Sequence, residues 1–457
     1  MGFTLRFDRG TLLLEGSTDL PASVTGLFRF DPRVDAFRAS CEQYREIVEK
    51  LGPDLDANRA PRYQRLKLSP LLSFEPYPHQ TAALEAWTKA GRRGLVVLPT
   101  GAGKSLIGMQ ALASCGRSGM VIVPTIDLMH QWFALLKAAF PETEVGLLGG
   151  GYHDASPLLV STYDSAARQM ERLGNQYGVL IADEVHHLPS EFYRSIAEFS
   201  LAPYRLGLTA TLERSDMRHR DLFNLIGPLV YHCDPEDLAG DVLAPYQIKR
   251  LYVELTSTER EAYTAAQRQR DAFLDANNIS LKQLDGWSRF VMVSSRTIEG
   301  RQAMHAHQEL RRLSHAAPAK LRALELILAE HPQEKAVVFT EDNATVYELS
   351  KKFLIPCITH QTPIKERHHI LTQFRNGTYR TLATSKALNE GVDVPDASIG
   401  VILSGSAVRR EFVQRLGRIL RRVEGKKAVL YEVITRQTRE EGVAARRMKN
   451  EEQVVSG

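Results

Sequence analysis

Short unbroken apolar runs alternate with segments whose apolar residues recur every three or four positions, and the alternation occurs twice along the chain. In the first series the runs lie at 95–98, 120–124, 158–162, 178–183 and 206–211. Helical spacing accompanies them at 81–90, from Lys104 onward (Leu106, Ile107, Ala111, Leu112), and at 127–140, 165–173 and 190–199. In the second series the runs lie at 336–339, 356–359, 381–384, 400–403 and 429–433. A strand that is apolar at every position is buried on both faces, so strands of this kind alternating with helices predict parallel sheets covered on both sides. In such sheets chemistry gathers at the carboxyl ends of the strands.

Two regions break the pattern. Near the N-terminus, residues 4–7 and 11–15 flank Asp8-Arg9-Gly10 as a hairpin would. Residues 38–51 then carry helical spacing up to a Gly-Pro stop, and the polar stretch 54–65 reads as linker. Between the two series, Tyr252 opens a short apolar run read as closing the first sheet, and 257–275 is helical and charged until Asn277-Asn278. The mix of Trp287, Phe290, Arg296, Arg301, Arg311, Arg312 and Lys320 that follows fits a nucleic-acid-contacting insert or a solvated helical linker equally well. The expected organisation is a small α+β unit at 1–70, a first α/β lobe at 71–240, a linker with a helical insert at 241–315, and a second lobe at 316–457.

The first strand of the first lobe runs into Thr100-Gly101-Ala102-Gly103-Lys104-Ser105 and then a helix. Strand, glycine loop and helix N-terminus form a phosphate cradle: backbone N–H groups converge, Lys104 reaches the β/γ-phosphates, and the Ser105 hydroxyl can ligate Mg²⁺. Leu98 occupies the place of the usual first glycine. The run at 178–183 delivers two adjacent carboxylates, Asp183 and Glu184, followed by Val185-His186-His187. Nucleoside triphosphate hydrolysis needs one carboxylate on the metal and one that orients the attacking water; Asp183 fits the first role and Glu184 the second. Upstream, Gln80 follows Pro76-Tyr77-Pro78-His79, where an amide could read adenine through two hydrogen bonds. The second series has no phosphate loop. It carries Gly391-Val392-Asp393 after a strand, and Gln414, Arg418 and Arg421 at spacings that share one helix face. Two guanidiniums on one face suit the charge of a splitting phosphate.

Composition narrows the partners only slightly. A net charge of +4 over 457 residues is too small to argue for a polyanion by itself. Four scattered cysteines without a C-x-x-C pair indicate neither a disulfide framework nor zinc and suit a reducing cytoplasm. No apolar run is long enough for a bilayer, and no signal-peptide pattern opens the chain.

In this order, over roughly residues 74–435, the motifs resemble a superfamily 2 helicase with two RecA-like lobes. Gln80 resembles the adenine-reading position, Thr100 to Ser105 motif I, Asp183 to His187 motif II, Thr209-Ala210-Thr211 motif III, Thr384 to Asp393 motif V, and Gln414 to Arg421 motif VI. By the same carry-over Thr125, Gln131, Trp132, Thr162 and Thr384 match segments that grip a nucleic-acid backbone, and His187, Thr209 and Thr211 match coupling positions. Within the superfamily the resemblance is to the XPB type in its short archaeal and bacterial form, through Asp183-Glu184-Val185-His186-His187 and the segment after Thr209. Where that family reads Arg-Glu-Asp, this chain has Arg214-Ser215-Asp216; Tyr77 replaces an arginine and Asn389 an acid.

The resemblance implies an ATP- and Mg²⁺-dependent motor on duplex or forked DNA, running 3′ to 5′, in repair or transcription-linked opening. It implies a damage-recognition-like N-terminal domain, a helical thumb, Arg418 and Arg421 reaching the nucleotide on closure, and a monomer with a nuclease partner like that of archaeal relatives. Rival readings are an RNA helicase, a restriction- or defence-type duplex translocase, and a DNA-binding scaffold gated by ATP. A small-molecule P-loop kinase would leave the arginine helix unexplained. Comparing stimulation by duplex DNA, single strands and RNA separates the first two, and strand displacement separates motor from scaffold.

Overall fold

The computed structural model describes residues 2–16, 20–71, 75–212, 218–234, 236–238, 246–281, 283, 285–385, 397–404, 428–442 and 444. The chain divides near position 243 into two compact units, each described by itself.

The first unit opens with a five-stranded sheet. Strands β1 (Phe3–Asp8), β2 (Thr11–Glu15), β3 (Arg29–Asp31) and β4 (Ala36–Ser40) precede helix α1 (Tyr44–Leu51) and strand β5 (Leu55–Asn58), in the order β3-β4-β2-β1-β5. The hairpin at Asp8-Arg9-Gly10 forms as expected, with β1 and β2 antiparallel. Two expectations fail here. Residues 38–40 continue a strand, because Ala36 and Ala39 are buried against the sheet and Arg38 pairs across it with Asp8 and Asp31 at 3.0 and 2.9 Å. The stretch read as linker contributes β5, parallel to β1. Leu5, Leu12, Leu14, Ile47 and Leu51 form the core of this sheet, and Leu201 from the following lobe completes it.

The lobe itself is an eight-stranded sheet. Its elements are α2 (Pro78–Lys89), β6 (Arg93–Val97), α3 (Lys104–Cys115), β7 (Gly119–Val123), α4 (Ile126–Ala139), β8 (Val145–Gly149), β9 (Tyr152–His153), β10 (Leu158–Thr162), α5 (Tyr163–Leu173), β11 (Val179–Asp183), α6 (Ser195–Glu198), β12 (Tyr204–Thr209), α7 (Asp221–Leu225) and β13 (Leu229–His232). Strand order is β13-β6-β12-β11-β7-β10-β8-β9, parallel throughout except for the β8–β9 hairpin. All five strands expected from continuous apolar runs, β6, β7, β10, β11 and β12, are buried at all or all but one position. The helix expected at 190–199 shrinks to α6, since the Ser190 hydroxyl accepts the Tyr193 N–H and diverts the chain ahead of it. The β8–β9 edge has no counterpart in the expected pattern: its glycines leave too few apolar positions to register as a run.

Arg205 on β12 ties the sheet to its surroundings. It is fully buried, and its guanidinium donates to the carbonyls of Ala202 (3.2 Å), Leu225 (2.5 Å) and Ser200 (2.8 Å). Burial, and next the charge of Arg93, push its pKa down to about 9.

The second unit has a six-stranded, wholly parallel sheet of order β14-β19-β18-β15-β17-β16. Its elements are β14 (Tyr246–Val253), α8 (Ser257–Ala276), α9 (Gly286–Ser294), α10 (Ile298–His315), α11 (Pro318–Glu330), β15 (Ala336–Phe339), α12 (Asn343–Phe353), β16 (Cys357–Ile358), α13 (Ile364–Arg375), β17 (Thr381–Thr384), β18 (Ile399–Ile402) and β19 (Ala428–Thr435). The Tyr252 strand was expected to close the first sheet; it instead pairs with β19 along its whole length, because Leu251 and Val253 pack on the second core. The strand that edges the first sheet next to β6 is β13. Helices α8, α9 and α10 form a bundle built on Tyr263, Ala266, Leu310 and Leu313 at one end and Leu274, Phe290 and Ala303 at the other. Lys320, grouped by sequence with exposed basic residues, is fully buried in an ion pair with Glu440 at 2.5 Å. Among the described residues no helix is long and apolar enough to cross a membrane.

Arg205→Met removes three charged donors and leaves three buried carbonyls without partners, so the account predicts destabilisation on the order of 3 kcal/mol. Urea unfolding followed by circular dichroism checks this; a midpoint unchanged from wild type contradicts the anchoring role.

Candidate active site

The glycine loop leaves β6 at the end of the sheet where β11 delivers Asp183. Only β12 lies between β6 and β11, so the two strand ends stand two strand spacings apart, about 10 Å. Two residues of the loop require glycine-like backbone: Gly101 has φ +91° and Gly103 φ +79°. A Cβ on Gly103 would lie 2.2 Å from the Gln80 amide nitrogen, so strain and collision coincide there. Ala102 is the loop's anchor. Its carbonyl accepts from His79 Nε2 at 2.8 Å and from Gln80 Nε2 at 2.9 Å. A carbonyl can only accept, so His79 carries its proton on Nε2. Gln80 Oε1 accepts the Tyr77 N–H at 2.9 Å, so both polar atoms of this amide brace the loop and the start of α2. Lys104 Nζ donates to the carbonyls of Leu98 and Pro99 at 3.1 and 3.4 Å. Ser105 follows in the first turn of α3. The Thr100 hydroxyl is buried without a hydrogen-bond partner.

Asp183 is the most constrained carboxylate in the lobe. Its Oδ2 accepts the Trp132 indole N–H at 2.8 Å and its Oδ1 accepts the Glu184 backbone N–H at 2.9 Å. Burial pushes the carboxyl above its ordinary range, against the downward pull of Lys104 and these two donors. Trp132 reaches it because Gly108 leaves room: a Cβ there would sit 2.6 Å from the indole ring. Trp132 is itself fully buried. Its expected place among the groups gripping nucleic acid is therefore corrected, since a side chain without exposed surface cannot touch a backbone.

Glu184 takes up a left-handed conformation, φ +48°, which turns the chain sharply after Asp183. Its Oε2 lies 3.5 Å from His186 Nδ1. The same nitrogen is 3.1 Å from the Thr209 hydroxyl, which donates to the Thr211 carbonyl at 2.8 Å and accepts the Thr211 N–H at 3.2 Å. The Thr209 hydroxyl proton is thus committed, and His186 must be the donor. The histidine bonded to Thr209 is accordingly His186 and not His187, whose ring packs 4.3 Å from His186 and 5.8 Å from Tyr163. Sequence reasoning missed His186, although its position two residues after Glu184 was a usable signal.

The remaining residues fall in three groups. Thr125 and Thr162 cap α4 and α5 through their hydroxyls, and Gln131 is exposed on α4. Thr384 is buried at the end of β17, donating to the Ser385 carbonyl at 3.1 Å. Arg214, Asp216, Gly391, Asp393, Gln414, Arg418 and Arg421 lie outside the described residues.

The sheet orders and the loop-plus-carboxylate site define the helicase type of RecA-like α/β protein. The Hef helicase domain of Pyrococcus furiosus matches this fold with TM-score 0.55 at 18% identity, covering 80% of this chain and 97% of that one. Residues 73–214 match the family model "Type III restriction enzyme, res subunit", and 5–53 match the Xeroderma pigmentosum group B helicase damage recognition domain. Residues 299–451 match the ERCC3/RAD25/XPB C-terminal helicase. A curated relative from Sulfurisphaera tokodaii, named DNA 3'-5' translocase XPB2, is 41% identical over 81% of this chain and 83% of its own. The DNA 3'-5' helicase XPB of Mycobacterium tuberculosis is 32% identical over 79% of this chain and 61% of that protein, and the Kineococcus radiotolerans protein of the same name is 30% identical over 81% and 62%. The chain thus spans about three-fifths of those two bacterial relatives. It belongs to the XPB family of superfamily 2 helicases.

A carboxyl whose folded pKa is raised binds its proton more tightly in the native state, so stability is lost as pH rises from the unfolded value through the folded one. Asp183→Asn removes that loss. Its melting temperature relative to wild type should therefore climb as pH rises above about 4 and level off once Asp183 is ionised; a difference that stays flat with pH contradicts the raised carboxyl.

Proposed function

We propose that this chain is an ATP-driven translocase and helicase on DNA, moving 3′ to 5′ and serving DNA repair or transcription-linked duplex opening. The observation that carries the proposal is the convergence of the glycine loop and the Asp183–Glu184 pair on one end of one parallel sheet. Membership in the XPB family and the names of its relatives support DNA as the track and the polarity.

The loop fits a triphosphate: its two left-handed glycines keep side chains out of the cradle, and the partnerless Thr100 hydroxyl offers a donor there. Lys104 and the N–H groups opening α3 bind the phosphates. Ser105 and Asp183 are the groups that would hold Mg²⁺, which when bound neutralises charge on the β- and γ-phosphates. Glu184 orients the attacking water, and its turn at φ +48° keeps it beside Asp183, whose Oδ1 accepts its N–H. Gln80 positions the loop, and the N–H it has left over serves adenine. On the resemblance of their motifs, Gln414, Arg418, Arg421, Gly391 and Asp393 are further candidates for contacting the nucleotide.

Hydrolysis is coupled to the track through the Glu184–His186 contact at 3.5 Å and the hydrogen bonds from His186 to Thr209 and from Thr209 to the Thr211 main chain. A change at the Glu184 carboxylate reaches the residues just before Arg214 and Asp216 through three side chains. Thr125, Gln131 and Thr162 offer the DNA backbone groups at the ends of the helices they cap or line; Thr384, as fully buried as Trp132, is withdrawn from that set for the same reason. Trp132 is a positioning residue for Asp183.

ATP hydrolysis by wild type, Lys104→Ala, Glu184→Gln and Arg421→Ala, each with duplex DNA, single-stranded DNA and RNA, tests the proposal. DNA should stimulate wild type at least about tenfold more than RNA, and Lys104→Ala and Glu184→Gln should lose about a hundredfold or more of the rate. Stimulation by RNA alone, or near-wild-type rates in both variants, overturns it.

A further inference from the structure

The second unit contains a cavity of about 320 Å³ between the α8–α10 pair and the segment after β19, lined by none of the residues assigned to the ATPase site. Its chemistry is unusual for a helix junction. Arg270, on α8, is 95% buried by its 5% exposure, yet its Nη1 has no hydrogen-bond partner. Asp271 takes only the other edge of this guanidinium, with Oδ1 2.7 Å from Nε and 2.5 Å from Nη2. Arg311 on α10 and Arg439 line the same space, so three guanidiniums converge on it. Glu440, also on the wall, is spent on Lys320 and the Thr435 N–H. Glu341 is a further carboxylate on the wall. His307 lies in the field of these groups: its Nδ1 is buried without a partner, and its pKa is pushed down to about 4, by burial first and then by Arg270, Arg311 and Arg439.

An inward-facing, desolvated guanidinium edge without an acceptor costs stability unless something supplies the acceptor. A water supplies an oxygen but no charge; an anion with several oxygens supplies both, and the planar fork of arginine matches phosphate. The wall also carries Trp287, 47% exposed, its ring 5.1 Å from His307. An exposed indole next to converging arginines is the combination that stacks a base while its phosphate is held. A space of this volume lies within the range of small-ligand sites.

We infer that this cavity is a second anion site that takes a nucleotide, its phosphate on Arg270 and Arg311 and its base against Trp287. The nucleotide is either free or the 5′-phosphorylated end of a DNA strand. The inference stands apart from the ATPase proposal, since no residue of the glycine loop or the Asp183–Glu184 pair takes part.

Hydrogen–deuterium exchange of the full chain over α8 and α10, titrated with dAMP, inorganic phosphate and a 5′-phosphorylated oligothymidine, is the test. Wild type and Lys104→Ala should show equal, saturable protection by dAMP or by the oligonucleotide; protection by both marks a free-nucleotide site, and protection by the oligonucleotide alone marks a strand end. Arg311→Gln, an exposed and therefore foldable substitution, should weaken binding about tenfold or more. Arg270→Lys keeps the charge and loses the fork, so it should do the same. Trp287→Ala should erase the preference over inorganic phosphate. The inference is overturned by absent protection, by affinity unchanged in Arg311→Gln, by inorganic phosphate binding wild type as well as dAMP, or by loss of protection in Lys104→Ala.

Discussion

The first lobe depends on a carboxylate held where carboxylates are unstable. Asp183 sits at the end of a strand buried on both faces, and burial raises the cost of its charge. Trp132, the Glu184 N–H and the field of Lys104 lower that cost without removing it. The arrangement constrains much around it: glycine at 108 so that the indole fits, a left-handed turn at Glu184, and a loop whose lysine is near enough to be felt. A strand end that served only stability would gain from an apolar residue here. An ionisable carboxyl kept at this position is what the proposed Mg²⁺ role requires.

From that carboxylate the structure leads outward in two directions. One runs through the loop, where His79 and Gln80 brace the Ala102 carbonyl and so fix the cradle's shape. The other runs through Glu184, His186, Thr209 and Thr211 to the end of β12. Beyond the Glu184–His186 contact this second path is made of hydrogen bonds, from the buried His186 ring to Thr209 and from Thr209 to the Thr211 main chain, which are directional. Arg205, further back on the same strand, fixes β12 to the carbonyls of Ser200, Ala202 and Leu225.

Much of this was legible in the chain. Continuous apolar runs located β7, β10, β11 and β12 because parallel strands buried on both faces leave an unambiguous signature. The glycine loop before a helix and the acidic pair at a strand end lie on the elements that their residue types and flanking apolar runs indicated. Short or two-faced elements were not. Residues 38–40 alternate within a longer helical periodicity, β5 is polar, and β14 joins the second sheet through pairing partners about 180 residues distant. Trp132 and Lys320 misled for one reason: the sequence gives residue type, and only packing decides whether an aromatic or a cation faces solvent or a buried partner. His186 and His187 differ in the same way, since adjacent identical residues are told apart only by the turn that points one of them at Thr209.

The claim on which the account rests is that Asp183 keeps its charge in order to face Mg²⁺ beside a triphosphate. Isothermal titration of a non-hydrolysable ATP analogue, with and without Mg²⁺, measures this in wild type and Asp183→Asn. The account predicts that Mg²⁺ tightens binding to wild type by at least about tenfold, a coupling of about 1.4 kcal/mol, and has little effect on the variant, whose Mg²⁺-free affinity equals or exceeds that of wild type. An equal gain from Mg²⁺ in both proteins would contradict it.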